Sequence, residues 1–160
     1  MTVFIADERE GAVAPAGFAA RVDLERLRRL AEFVAAEQRV PPDMDLSVLC
    51  VPASAMADLN RVHMGSDGPT DVLAFPIDLP GETMPGAPAV LGDVVLCPEV
   101  AAAQATAAGH DLAAELEMLL VHGILHLLGH DHAEQPERRE MDDLTARLLA
   151  SWRADAGSQP

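Results

Sequence analysis

The sequence has no lysine: all eleven basic residues are arginines, set against 26 acids, for a formal net charge of −15. A chain this acidic is repelled by nucleic acid at long range, so overall charge argues against general DNA or RNA binding and leaves any such contact to local patches. No apolar run reaches the length of a membrane span; the greasiest stretch, residues 118–128, is interrupted by His122 and His126. The first residues, MTVFIADERE, carry acids at once and no basic segment, so a cytoplasmic protein without a secretory signal is expected. The two cysteines, Cys50 and Cys97, stand alone in β-like runs without a C-x-x-C partner. That excludes a zinc knuckle and leaves two small buried residues. Internal repeats and an inter-domain linker are also missing, so residues 1–160 read as one domain.

What is present is a 49% hydrophobic chain, enough for a real core. Strand signals fall at 2–7, 45–51, 71–77 and 91–97. A Gly/Ala/Pro-rich loop follows the first. Pro76 puts the end of the third at an edge or a bulge. Helical spacing appears at 23–38, capped by Asp23, and at 52–62, with Ser54 near its start. HMGSDGPT (63–70) has turn chemistry, and residues 78–90 form a long Pro/Gly loop. A helix opened by Pro98 is closed by Gly109. The strongest helix, 111–129, has Asp111 as N-cap and Gly129 just past its end; it is apolar nearly all round and therefore expected to be buried. A last helix runs from 136 to about 153. The order predicts an α+β fold: a small mixed four-stranded sheet packed with about five helices. Arg21, Arg26, Arg28 and Arg29 form a basic cluster, read as a solvated helix face.

The stretch HGILHLLGHDH, residues 122–132, holds four of the six histidines. His122 and His126 are four apart, so on a helix both imidazoles leave one face, one turn apart. Gly129 ends the helix, and His132 comes six residues after His126, far enough to return as a third ligand. Three nitrogens with an open fourth position make the arrangement of a catalytic zinc. His130 is a rival third ligand, but His132 reproduces the spacing H-x-x-x-H-x-x-G-x-x-H of the metzincin peptidases. Those enzymes carry Glu directly after the first His as general base; here that residue is Gly123, which argues against a peptidase. Among nearby acids, Asp131 could orient a ligand imidazole. Glu115, seven residues before His122, shares its face and could accept a ligand's second N–H. Asp71 and Asp93 enter apolar strands, as loop caps or site-facing acids.

Three segments resemble one family. HGILHLLGHDH is similar to the H-G-x-L-H-L-x-G-Y-D-H signature of the YbeY endoribonucleases, bacterial ribosomal RNA maturation factors. GPTDVLAFP resembles their P-T-D-V-L-S-F-P, and LGDVVLCPE their L-G-D strand. The match covers about residues 45–150. The resemblance implies a zincin-like fold with one zinc ion on His122, His126 and His132. It also implies an endoribonuclease acting in maturation of small-subunit ribosomal RNA, at its 3′ end, and in ribosome quality control. Two departures stand out. His130 replaces the family's tyrosine, and Met64 stands where the family often has arginine. Arg61, three residues earlier, is the expected substitute for that arginine's phosphate contact. The catalytic base is unassigned, with Arg61, Glu115 and Asp131 as candidate catalytic residues. Expected partners are ribosomal RNA and the small subunit, with a protein presenting the RNA, and neither DNA nor a membrane. The alternatives are a metal-stapled assembly factor without catalysis and a zinc peptidase.

Overall fold

The computed structural model describes residues 1–9, 21–84, 86–130 and 134–157. The Gly/Ala/Pro-rich loop expected after the first strand lies almost wholly outside them. In chain order the elements are β1 (Val3–Asp7), α1 (Leu24–Glu37), β2 (Met44–Cys50), α2 (Ala53–Met64), β3 (Val72–Pro76), β4 (Ala89–Leu96), α3 (Pro98–Ala108), α4 (Leu112–Leu127) and α5 (Gln135–Gly157). Among the described residues the expected α+β architecture is present, with four strands and five helices. The strand order is β1-β2-β4-β3, with β1, β2 and β4 parallel and β3 antiparallel to β4. Pro76, which has no N–H to give a ladder, ends the edge strand β3.

The period-two pattern of the strands separates two cores. Val48, Cys50, Val94 and Leu96 pack with α1, α4 and α5 on one face, while Leu49, Leu73, Val95 and Phe75 pack with Met56 and Leu59 of α2 on the other. Helix α4 is the centre of the first core. Leu116, Leu119, Leu120, Ile124, Leu125 and Leu127 are all buried, each stabilising by about 1.5–3 kcal/mol through removal of apolar surface from water. Its low polarity follows from its neighbours, since it touches α1, α3, α5, β3 and β4. No described helix is long and apolar enough to cross a membrane.

Local chemistry sets the helix ends. Asp23 and Asp111 accept from the N–H groups of Arg26 and Ala114, at 3.1 and 2.8 Å. Helix α2 has Pro52 rather than a serine at its N-cap. It also runs two residues beyond the expected end, through His63 and Met64, because the left-handed residue that stops it is Gly65 (φ 67°). Strand β4 begins at Ala89, taking the end of the expected loop. It bulges against β2 between Val90 and Gly92. A Cβ on Gly92 would fall 2.4 Å from the Phe75 carbonyl oxygen, so only glycine fits there. At the end of β1, Arg9 donates to both carboxylate oxygens of Asp7 and holds that carboxyl below the usual range. The arginine cluster is neutralised in part within the fold, through Arg26 and Arg28. Arg28 pairs with Glu25 and Glu32, while Arg26 pairs with buried Glu117 and lies 4.5 Å over the Trp152 ring.

Candidate active site

A cavity of about 510 Å³ opens between the sheet edge and the helices, lined by side chains from α2, β3, α3, α4 and α5. His122 and His126 reach it from one face of α4, as their spacing requires. They share this wall with Glu115, Met118, Leu119 and Gly123 of the same helix. The helix must stop just beyond the second histidine, and it does so by a glycine closure. The N–H of Gly129 (φ 95°) donates to His126 O and that of His130 to Leu125 O, each at 3.0 Å. This 6→1 and 5→2 pair is the Schellman motif, which satisfies the last carbonyls and turns the chain out of the helix direction. His130 follows that turn and does not line the cavity. Asp131 and His132 lie outside the described residues, and no group of three metal-ligating side chains occurs among the described ones.

The opposite wall comes from the GPTD segment and β3. Asp71 sits at the strand entrance, where its Oδ1 accepts from Val72 N (2.7 Å) and from the Thr70 hydroxyl (3.2 Å). The turn leading to it is tied to α2: Asn60, buried and lining the cavity, donates from Nδ2 to Gly68 O at 2.9 Å. Asp93 does not line the cavity; it sits in β4 opposite Ser47 and Phe75.

Glu115 is 4% exposed in the first turn of α4. Its described partners are not the α4 histidines. His110, in the turn between α3 and α4, donates from Nε2 to Glu115 Oε2. The Gln104 amide nitrogen, turned toward the acceptors on both sides, donates to Glu115 Oε1 and to Asp71 Oδ2, at 3.1 Å each. Gln104, on α3, thus joins two of the cavity's three carboxylates. The third carboxylate, Asp142 of α5, is 60% exposed, with its Oδ1 3.6 Å from His122 Nε2.

Arg61 does not line the cavity; it is 68% exposed and 3.5 Å from Asp58 on its own helix. Met64, the last residue of α2, does line it. Several contributors were not legible in the sequence, Asp142 of α5 and Asn60 of α2 among them. His110 and Gln104 act through pairings across a turn and between helices. Arg138 lines the cavity from α5 and sits in the charged run PERRE, which carries no motif that marks one arginine over the other.

The family model described as "Endoribonuclease YbeY" matches residues 19–153. An endoribonuclease YbeY from Salinispora tropica is 54% identical over 143 residues, 84% of this chain and 91% of the relative. That from Thermobifida fusca is 53% identical over 137 residues, 82% and 86% of the two chains. Among solved structures, the solution structure of TM1509 from Thermotoga maritima superposes with a TM-score of 0.57. It is 24% identical and covers 99% of this chain and 97% of that one, a likeness of fold.

Proposed function

Because the chain belongs to the YbeY endoribonuclease family, we propose that it is a zinc-dependent endoribonuclease that cuts single-stranded RNA in the cavity beside α4. Its substrate is ribosomal RNA, at the 3′ end of the small-subunit molecule, and it acts in the cytoplasm with a protein partner presenting the RNA. The observation that carries the reading is the shared opening of His122 and His126, one helical turn apart, into a cavity walled by Asp71 and Glu115.

Two imidazoles on one helix face suit a divalent zinc, and His132 would complete the donor set. When bound, the ion supplies a Lewis acid beside the phosphodiester. The rest of the work falls to the chain. Gln104 and His110 keep Glu115 engaged, which makes it a support of the α4 wall. Asp71 holds the Val72 N–H and the Thr70 hydroxyl, fixing the edge along which RNA lies. Asp142 presents the most exposed carboxylate of the three, near His122.

The peptidase alternative requires a glutamate where Gly123 stands. A Cβ there would already lie 2.6 Å from a Val94 methyl, so the position has no room for one.

The test is elemental analysis of wild type and His126→Ala, together with cleavage of a small-subunit ribosomal RNA precursor. One zinc per chain, lost along with cleavage in the variant, is the expected result. Zinc without cleavage would favour the assembly-factor alternative, and absence of metal would remove the reading of the histidines.

A further inference from the structure

The described arginines fall into two sets. Arg9, Arg26, Arg28, Arg61 and Arg153 pair with carboxylates of the fold. Arg21, Arg29, Arg39, Arg138, Arg139 and Arg147 make no ion pair among the described residues, and of all the described arginines Arg138 alone lines the cavity. Its placement follows from helix α5. Arg138, Met141 and Asp142 are spaced i, i+3 and i+4, and all three face the cavity. Met141 is 2% exposed and locked into the main core, which fixes the rotation of this face. Arg138, one turn earlier, is thereby carried to the cavity rim with its side chain exposed. Asp142 does not neutralise it, lying instead beside His122.

A cavity walled by Asp71, Glu115 and Asp142, in a chain of net charge −15, repels a polyanion; a zinc ion on the histidines would offset this at the α4 wall, and the α5 rim needs a cation of its own to meet a phosphate. A guanidinium is suited to that task, with planar paired donors that match two phosphate oxygens. We propose that Arg138 is the substrate-binding residue that receives an RNA phosphate at the cavity rim. This rests on the nuclease reading and names the contact that lets an acidic site accept RNA.

The experiment compares wild type, Arg138→Ala, Arg138→Lys and, as a control of equal charge change on the same helix, Arg139→Ala. A fluorescent single-stranded RNA is cleaved over a range of salt concentrations. For Arg138→Ala, KM is expected to rise roughly tenfold, the scale of one charge-assisted contact, with kcat nearly unchanged. The slope of log affinity against log salt should shrink by roughly 0.7, the value for one phosphate of a single strand. Arg138→Lys should recover part of the loss, since it keeps the charge and loses the fork, and Arg139→Ala should behave as wild type. Wild-type KM and salt slope in Arg138→Ala, beside active wild-type enzyme, would overturn this inference alone. So would an equal loss in Arg139→Ala, or a loss found in Arg61→Ala instead. A wild-type chain that leaves RNA intact would overturn the nuclease reading and this inference with it.

Discussion

Gly123 of α4 lies so close to Val94 of β4 that a Cβ on it would sit 2.6 Å from one valine methyl and 3.1 Å from the other. The missing side chain lets the histidine-bearing helix rest directly on the sheet, and it closes the position a peptidase needs for its base. Alanine is intrinsically the better helix former, by up to about 1 kcal/mol. Here the clash outweighs that gain. Gly123→Ala is expected to lower stability by about 1–3 kcal/mol, the range for overpacked cores, read as a lower urea midpoint at unchanged slope. An equal or raised midpoint would show that helix and sheet can part at no cost.

Gln104 holds Asp71 and Glu115 from one amide nitrogen. Replacing it by leucine keeps the size and removes the donor, leaving a nearly buried carboxylate oxygen of Glu115 without its partner. A loss of about 1–3 kcal/mol follows from an unsatisfied buried acceptor, with a fall in RNA cleavage because Asp71 loses one of its three fixed contacts. Gln104→Leu with wild-type stability would make the bridge incidental.

Elements governed by neighbours in sequence were legible; features governed by neighbours in space were not. The caps Asp23, Asp111, Gly109 and Gly129 are local signals, and all four stand where the spacing puts them. Pro76 at an edge and Cys50 and Cys97 in the core follow equally from residue chemistry. His122 and His126 share a wall because four residues turn a helix once. Arg61 was the nearest arginine in sequence to the expected phosphate contact. Its side chain instead leaves α2 toward solvent and Asp58, while Met64, one turn on, faces the cavity. The pairing of Glu115 with His110 and Gln104, rather than with an α4 histidine, depends on how α3 packs against α4. Arg138 is placed by the burial of Met141, which a charged run conceals.

Asn60 ties the GPTD turn to α2 through the Gly68 carbonyl. Asn60→Asp exchanges the donor for a second acceptor at almost constant shape, so the contact becomes repulsive. The variant is expected to lose about 1–3 kcal/mol and to raise amide exchange in residues 65–71 more than in β2 or β4. Uniform exchange across the fold would argue against a local tether.

Burial, reinforced by the neighbouring Asp7 carboxylate and opposed by Arg9, pushes the Cys50 thiol up to about 12. Cys97 is shifted in the same direction, mainly by burial. At pH 8 a thiol with pKa 12 is ionised in roughly one molecule in ten thousand, against about a quarter for an unperturbed cysteine. Thiol reagents should therefore label the native protein slowly, at a rate set by opening of the fold, and label it at once in denaturant. The same shift fixes a pH dependence. Below the unfolded thiol's pKa, about 8.5, both states keep the proton and stability is unaffected. Between there and 12 the unfolded chain releases its proton while the native one retains it, so stability falls as pH rises. Cys50→Ala should flatten that alkaline slope, even though the lost packing lowers stability at neutral pH. Rapid labelling of Cys50 in the native protein at pH 8, or an unchanged slope in the variant, would contradict a thiol held protonated by the core.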